Sequence, residues 1–260
     1  MTPEQVQDAA RMLFEAEQTR DQCGLLSIAY PDMNLDDAYA VQAALVDMKL
    51  AAGAKIIGWK IGLTSRAMQQ ALNITTPDSG VLFDDMLFET DGIVPKGRFI
   101  QPRIEAEIAF VTKAEIKGPG CHIGTVLQAT DIVLPAVEIL DSRYENFNFD
   151  LISVVADNTS AAGFVTGGRA RKVEDLHLPT LGIVLEKNGE VVELAAGAAV
   201  LGHPAESVVM LANMLARKGQ SIPAGTFIMT GGVTAAVSIA RGDHIAVRYQ
   251  DLGSVSLKFV

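Results

Sequence analysis

The segment Arg103 to Phe110 (RIEAEIAF) alternates acidic with apolar residues, and this alternation restricts the fold more than any other stretch. Successive side chains of a β-strand point to opposite faces, which puts Glu105 and Glu107 together on one face. The opposite face carries Ile104, Ala106, Ile108 and Phe110. Two neighbouring carboxylates repel each other, and a fold tolerates them when water covers the face or when a cation lies between them. The segment therefore predicts a strand with either a solvated acidic face or a cation site.

Glu138 is the one charged residue in an otherwise apolar run, Val133 to Leu140 (VLPAVEIL). A nearly continuous apolar run is typical of a strand that is covered on both faces. A buried carboxylate there needs a partner, which is either an Arg or Lys in a structural ion pair or a metal ion. Three carboxylates are hard oxygen ligands of the kind that Mg²⁺ or Mn²⁺ prefers. The metal hypothesis requires Glu138 to lie beside Glu105 and Glu107.

The composition indicates a globular protein and excludes several functional classes. The 260 residues are 49% hydrophobic and 20% charged, which is enough for a large core. A net charge of −10 argues against nucleic-acid binding, although a metal ion can still attract an anionic substrate. The two cysteines, Cys23 and Cys121, form no CxxC motif, the N-terminus has no apolar signal-like stretch, and no apolar run is long enough for a transmembrane helix. We therefore expect a cytoplasmic protein without membrane contact.

The N-terminal part carries two helix signals. Thr2, followed by proline and then by glutamine three residues after the cap, is typical of a helix start. A second helix is predicted to begin near Asn34 and to end at Gly53. These signals predict a small helical N-terminal cap over residues 1–53, followed by a β-rich catalytic core over residues 54–260.

Strand signals dominate the rest of the chain. Asn188-Gly189, between two strand-like segments, is the strongest hairpin signal. A last hairpin is predicted to pair His244–Tyr249 with Ser254–Phe259. The sum is an α+β chain with a mostly antiparallel β core.

Lys60 is a candidate for direct chemistry. It lies in an apolar strand between Trp59 and Ile61. One interpretation is a lysine that extends its ammonium group to water at a strand end. The functional alternatives are a cation that binds a carboxylate, or an ammonium group of lowered pKa that exchanges a proton.

A short helix and a long loop are predicted after this strand. Thr64 or Ser65 can cap a helix that runs to about Leu72, and the loop 73–80 is long enough to act as a lid. Asp78 in this loop is either a turn-forming residue or an acid–base group carried by the lid.

Two polar segments at the ends of apolar runs are candidates for substrate binding. Asp157 and Ser160, in the sequence DNTS, offer several hydrogen-bonding groups or form a plain cap or turn. Thr230 and Gly231 precede a second glycine at the end of an apolar strand, where backbone amides either cradle a carboxylate or form a simple turn. The four histidines form no zinc-binding pattern, and no nucleotide-binding glycine motif is present.

These residues together give the chain a resemblance to a known family over essentially its whole length. It resembles the 4-oxalocrotonate decarboxylase and 2-hydroxypentadienoate hydratase group of the fumarylacetoacetase-like superfamily. The matching segments are Gly58-Trp59-Lys60-Ile61-Gly62-Leu63-Thr64-Ser65, Pro102-Arg103-Ile104-Glu105-Ala106-Glu107, Val137-Glu138-Ile139-Leu140-Asp141-Ser142-Arg143, Val155-Ala156-Asp157-Asn158 and Leu201-Gly202-His203-Pro204.

The resemblance implies a mixed β-roll core and a divalent metal ion, Mg²⁺ or Mn²⁺, held by Glu105, Glu107 and Glu138. It implies that Lys60 is the key side chain beside the metal. It also implies a 2-oxo dicarboxylic acid as substrate, in the meta-cleavage breakdown of aromatic compounds, and a homo-oligomer that can associate with a paired hydratase.

Three functional hypotheses follow. The first is decarboxylation of 2-oxo-3-hexenedioate (4-oxalocrotonate), because the segments 141–147 and 252–256 resemble the decarboxylases more closely. The second is hydration of 2-hydroxypenta-2,4-dienoate or a related diacid, because Pro77-Asp78 resembles the hydratases. The third is a catalytically silent partner subunit, which a Glu107→Gln variant with unchanged turnover and unchanged partner activity would favour.

Overall fold

The computed structural model describes residues 1–64 and 77–260. The described helices are α1 (Pro3–Thr19), α2 (Leu26–Ala29), α3 (Leu35–Ala51), α4 (Ile123–Ala129), α5 (Leu151–Ala156) and α6 (Pro204–Ala216). The described strands are β1 (Ile56–Gly62), β2 (Asp78–Phe83), β3 (Leu87–Glu89), β4 (Gly92–Val94), β5 (Arg103–Thr112), β6 (Thr130–Leu140), β7 (Ala161–Thr166), β8 (Gly182–Lys187), β9 (Glu190–Ala196), β10 (Phe227–Met229), β11 (Val237–Ser238), β12 (His244–Tyr249) and β13 (Gly253–Phe259). The predicted helix from Thr64 or Ser65 to Leu72 and the first part of the predicted lid lie outside the described residues.

The strands form two sheets. The first runs in the order β2–β1–β10–β5–β6–β7–β3, with β11 beside β5, and the second runs β4–β13–β12–β8–β9. Among the described pairs, β1–β10, β3–β7 and β4–β13 are parallel and the others are antiparallel. Strand β5 lies in the middle of the larger sheet, so the acidic residues that it carries are surrounded by other strands. The predicted α+β class with a mixed β core is confirmed.

Both faces of β5 are covered. Ile104 and Ile108 face the main hydrophobic core, which also contains apolar residues of the second sheet. On the opposite face, Ala109 belongs to a separate apolar cluster with Met229 and Phe164. On that face the Glu107 side chain has no solvent exposure, and Glu105 is half-buried at the wall of a cavity, so the face is not an open solvated surface. The solvated acidic face, the first alternative for this strand, is therefore wrong.

The N-terminal helices begin at the predicted caps. Thr2 and Asn34 each accept a hydrogen bond from the backbone three residues later, and the N3 side chain returns one in both cases. The helices α1 and α3 share a hydrophobic core with α5 and with Tyr144, which is fully buried. The helical part is thus packed onto the segment that follows β6, and the division at residue 53 stays a prediction about domain organisation.

Two local features of the fold differ from what the sequence predicts. Asp78 does not lie in a loop; it is the first residue of β2, where it pairs with Gly62 of β1. Helix α5 was not predicted, although Asp150 caps it by accepting a hydrogen bond from the Ser153 amide. None of the helices in the described ranges has the length and apolar character that crossing a bilayer demands.

Candidate active site

Three carboxylates converge on the covered face of the larger sheet. Glu105 and Glu107 lie on β5, and Glu138 lies on β6 directly opposite Glu105 in the antiparallel register. One carboxylate oxygen from each residue lies within 4.8 Å of the other two. The long-range condition for the metal hypothesis is therefore met, because residues more than thirty positions apart along the chain form one acidic cluster.

The cluster has the chemistry of a cation site. Glu107 Oε1 and both carboxylate oxygens of Glu138 are buried without a hydrogen-bond partner among the described residues. Burial, followed by repulsion from Glu138, raises the pKa of Glu105 to about 7 and that of Glu107 well above its usual value. Two buried carboxylates and a half-buried one at this distance are unstable unless protons or cations compensate their charge, and the Lys60 ammonium, 3.3 Å from Glu138 Oε2, compensates only one of them. The residues present fit a hard divalent ion such as Mg²⁺ or Mn²⁺.

The backbone after β10 leaves room for the acidic cluster. The Gly231 amide donates a 2.7 Å hydrogen bond to Glu107 Oε2. A Cβ at Gly231, where φ is +103°, would lie 2.1 Å from Thr64 Oγ1, and a Cβ at Gly232 would lie 2.5 Å from Glu105 Oε2. Side chains at either position would thus displace the candidate ligands or their neighbours. Gly231 therefore binds the Glu107 carboxylate through its amide, and Gly232 leaves space for the Glu105 carboxylate.

This arrangement changes the interpretation of Thr230 and Gly231 as a substrate cradle. The Thr230 hydroxyl is buried and donates a 2.7 Å hydrogen bond to the Ile108 carbonyl. The Gly231 amide is already bound to Glu107. Both residues therefore position the acidic cluster, and direct contact with a substrate stays an untested prediction.

Lys60 of β1 lies beside the acidic cluster. Its Nζ lies 3.3 Å from Glu138 Oε2 and donates a 3.2 Å hydrogen bond to the Thr159 carbonyl. Burial alone would lower the pKa of Lys60, but the carboxylates of Glu138 and Asp78 outweigh burial and raise it. The geometry therefore supports a cation that faces carboxylates. It does not support the ammonium of lowered pKa or the lysine that reaches into water.

Asp78 lies opposite Gly62 on the neighbouring strand. A Cβ at Gly62 would lie 2.1 Å from Asp78 Oδ1, so the missing side chain makes room for the carboxylate. Asp78 Oδ1 has no hydrogen-bond partner in the described part of the chain. Burial raises the pKa of Asp78 to about 6, although the Lys60 charge opposes this shift. A carboxyl group of this pKa changes its protonation state close to neutral pH.

A cavity of about 370 Å³ is lined by Lys60, Asp78 and Glu105. Its polar wall contains Lys60, Asp78, Glu105, Thr159 and Ser160. The apolar wall contains Leu140, Phe147, Phe149, Val154, Val233, Ala235 and Ala236. Ser160 Oγ and Thr159 Oγ1 are buried without a partner among the described residues, so both hydroxyls are available to a ligand. The cavity suits a small molecule with an anionic end and an apolar carbon chain.

Asp157, in contrast, does not line this cavity. It is fully buried, and its carboxylate binds the guanidinium group of Arg143, which is also buried. Arg143 Nη1 also donates to the carbonyls of Asp141 and Ala161. The predicted substrate contact of Asp157 is therefore replaced by a structural ion pair at the edge of the site. Sequence reasoning included Arg143 in a matching segment but assigned it no partner.

The chain was also compared with known proteins. No protein-family model matches it. It is 56% identical to 4-oxalocrotonate decarboxylase of Pseudomonas sp. (strain CF600) over 260 residues, which cover 100% of this chain and 98% of the relative. It is 40% identical to 2-oxo-hept-4-ene-1,7-dioate hydratase of Escherichia coli, with 96% of each chain covered.

Solved structures give the same result. 4-Oxalocrotonate decarboxylase from Pseudomonas putida G7, complexed with magnesium and adipate, superposes with a TM-score of 0.98 at 55% identity over 100% of this chain and 99% of that chain. A fumarylacetoacetate hydrolase family protein from Yersinia pestis CO92 superposes with a TM-score of 0.58 at 12% identity, covering 78% and 92% of the two chains, which confirms the fumarylacetoacetase-like fold. The chain therefore belongs to the family of the 4-oxalocrotonate decarboxylases and their related hydratases.

Proposed function

We propose that the protein is a Mg²⁺-dependent lyase that decarboxylates 2-oxo-3-hexenedioate (4-oxalocrotonate) to 2-hydroxypenta-2,4-dienoate and carbon dioxide. The observation that carries this proposal is the cluster of Glu105, Glu107 and Glu138, in which Glu107 and Glu138 are buried, Glu105 lines the cavity, and Lys60 forms an ion pair with Glu138. The 56% identity to a decarboxylase over the whole chain supports this reaction over the alternatives.

In this reaction the bond between the distal carboxylate and its methylene carbon breaks. The electron pair moves through the conjugated double bond to the 2-oxo oxygen, which takes up a proton. Mg²⁺ held by Glu105, Glu107 and Glu138 would supply Lewis-acid stabilisation of the negative charge that develops on this oxygen. Mn²⁺ also suits this oxygen-ligand set.

The side chains of the cavity have three proposed roles: they stabilise negative charge in the transition state, bind a carboxylate of the substrate, and exclude water. Lys60 holds a positive charge against the carboxylates, and this charge favours an electron-rich transition state more than the neutral ketone. The hydroxyls of Thr159 and Ser160 have no hydrogen-bond partner in the ranges 1–64 and 77–260, and we propose that they donate to a carboxylate of the substrate. The apolar wall, which includes Phe147 and Phe149, excludes water from the carbon chain.

Hydration of 2-hydroxypenta-2,4-dienoate is the second candidate, and one observation favours it. Asp78 brings a carboxyl group with a pKa of about 6 to the cavity wall, with no described residue bound to its Oδ1, and such a group can move the protons that addition of water requires. Asp78 can equally carry the proton that decarboxylation takes up. The same cavity therefore suits either reaction, and an assay with each substrate distinguishes them.

The purified protein is incubated with Mg²⁺ and, separately, with 2-oxo-3-hexenedioate and with 2-hydroxypenta-2,4-dienoate. We expect trapped carbon dioxide and loss of the enone absorbance from the first substrate, both abolished by a chelator. Water addition to the dienoate without release of carbon dioxide from the diacid would replace the decarboxylase proposal with the hydratase. A Glu138→Gln variant in parallel controls for activity of a contaminant.

We also propose a cytoplasmic homo-oligomer that can associate with a paired hydratase. Both cysteines are free, which suits a reducing compartment. Ile28, Ile93 and Leu194 are 75%, 61% and 69% exposed, and apolar surface of this kind is often covered in an assembly. Light scattering on the purified chain, alone and mixed with the hydratase, tests the homo-oligomer and the association, and fractionation of cells tests the location.

A further inference from the structure

Asn158, Thr159 and Ser160 form a left-handed turn between α5 and β7. Their φ angles are +48°, +52° and +58°. Asparagine tolerates this conformation, but serine adopts it rarely, and a β-branched residue such as threonine is a clear outlier there. Three such residues in a row persist only where the surrounding structure holds them.

Arg143 holds both ends of this turn. Its guanidinium group donates to the carbonyl of Asp157, which precedes the turn, and at 3.3 Å to the carbonyl of Ala161, which follows it. The ion pair with the Asp157 carboxylate fixes the guanidinium group itself. The ends of the turn are therefore anchored to a side chain that is almost fully buried.

The side chain of Asn158 ties the turn to β2. Its Oδ1 accepts a 2.8 Å hydrogen bond from the Val81 amide, and its Nδ2 donates a 2.9 Å hydrogen bond to the Val81 carbonyl. A Cβ at Gly80 would lie 2.5 Å from Thr159 Oγ1 and 2.7 Å from the Asn158 carbonyl oxygen. The strand and the turn are thus in direct contact, and the strand begins at Asp78.

The middle of the turn reaches Lys60. The Thr159 carbonyl accepts the 3.2 Å hydrogen bond from Lys60 Nζ, and the same ammonium group lies 3.3 Å from Glu138 Oε2. If the turn shifted, this carbonyl would move away from Lys60, and the ammonium group could move closer to the carboxylate of Glu138. The same turn therefore touches the element that carries Asp78 and the side chain of Lys60.

We infer that Asn158 is a positioning residue: its pairing with the main chain of Val81 locks β2 onto the left-handed turn, and the Thr159 carbonyl then fixes the Lys60 ammonium group relative to Asp78 and Glu138. The inference rests on the proposed function for its kinetic consequence, because Lys60 and Asp78 are the groups proposed to act on the substrate. A purely structural turn would contribute to stability without influencing the chemical step.

An Asn158→Gly variant tests this inference, because glycine accepts the left-handed conformation and removes only the two hydrogen bonds. Asn188→Gly is the matched control. Asn188 also has a positive φ, of +56°, and its side chain also makes one accepting and one donating hydrogen bond, with the His244 amide and with Asp243, both at 2.8 Å. It lies in the β8–β9 hairpin and does not line the cavity.

We expect both variants to bind Mg²⁺ with wild-type affinity, and we expect Asn158→Gly to lose more thermal stability than Asn188→Gly, because Asn158 is buried and Asn188 is exposed. Only Asn158→Gly should lower kcat, by about 10- to 100-fold, with little change in KM. Its crystal structure should show Lys60 Nζ separated from the Thr159 carbonyl. An Asn158→Asp variant, which keeps the left-handed preference and the acceptor for the Val81 amide, should retain an intermediate kcat.

A kcat of Asn158→Gly equal to that of Asn188→Gly would overturn the inference, as would a crystal structure in which Lys60 keeps its hydrogen bond to Thr159. A parallel loss of Mg²⁺ affinity would overturn it as well, since the effect would then run through the acidic cluster. A wild-type protein that releases no carbon dioxide would refute the proposed function instead, and the position of Lys60 in the variant structure would still decide the role of Asn158.

Discussion

Glu105 and Glu138 lie directly opposite each other on the adjacent antiparallel strands β5 and β6. Like charges in this relationship destabilise a sheet, and here the pair lies on a covered face with Glu107 beside it. Glu107 and Glu138 are buried and Glu105 is half-buried, and this set of clustered carboxylates suits a bound cation.

A Glu107→Gln variant should bind Mg²⁺ at least about 10- to 100-fold more weakly and lose turnover, because a ligand oxygen loses its charge. In the presence of a chelator the same variant should melt about 2–4 °C higher than the wild type. Burial raises the pKa of Glu107, so folding near neutral pH costs this carboxyl either a proton or a buried charge; the amide avoids that cost and still offers the Gly231 amide an oxygen acceptor. Calorimetric titration and thermal melts measure both effects. Glu186→Gln, which breaks a pair with the exposed Arg248, is the control and should change neither.

Mg²⁺ binding should strengthen as the pH rises from 6 to 8. The pKa of Glu105 is raised to about 7 by burial, so this carboxyl is mostly protonated at pH 6 and mostly ionised at pH 8. The metal ion binds the ionised form, and binding at pH 6 must therefore release a proton. Titrations in buffers of different ionisation enthalpy measure the proton count. Affinity that is independent of pH, or uptake of protons, would contradict the raised pKa.

A Lys60→Met variant should lower kcat by about 10²- to 10³-fold, as expected when a charge that stabilises the transition state is removed. Its Mg²⁺ affinity should stay the same or increase, because a competing cation 3.3 Å from Glu138 disappears. Steady-state kinetics and calorimetric titration separate the two effects. Lys172→Met, which removes an exposed partner of Asp131, provides the matched control. Loss of Mg²⁺ binding together with kcat would assign Lys60 to the structure of the acidic cluster.

An Asp78→Asn variant should be more stable than the wild type at pH 7.5 and less active. The folded-state pKa of Asp78 is raised from 3.8 to about 6, so ionisation costs the folded state more than the unfolded state. This destabilisation is absent below about pH 4, develops between pH 4 and 6, and is complete above pH 6. The stability gain of the variant, measured by denaturant unfolding with a chelator present, should therefore grow from pH 4 to pH 7.5. A gain of equal size at both pH values would show that ionisation of Asp78 is not its source.

Local sequence signals predicted the elements that short-range physics determines. The caps at Thr2 and Asn34 and the turn at Asn188-Gly189 depend on neighbouring residues only, and each of these elements is present. The acidic pair on β5 was also visible, because the two-residue period of a strand is local. The position of Glu138 beside this pair could only be a hypothesis, because it depends on β6 pairing with β5, and the local sequence does not determine which strands pair.

Contacts between distant segments account for what was missed. The position of Asp78 in β2 follows from its pairing with β1, where Gly62 leaves space for the carboxylate. The partner of Asp157 is Arg143, and the sequence offered no reason to choose it over other basic residues. The left-handed turn was hidden as well, because threonine and serine rarely adopt it and only the contacts around it hold it there.

The central claim is that three acidic side chains form one metal site that holds a 2-oxo acid, and a crystal structure with Mg²⁺ and oxalate tests it most directly. We predict one cation at about 2.1 Å from oxygens of Glu105, Glu107 and Glu138, with oxalate completing its coordination inside the cavity next to Lys60. A cation bound elsewhere, or Glu138 that stays paired with Lys60 while no ion enters the acidic cluster, would contradict the claim.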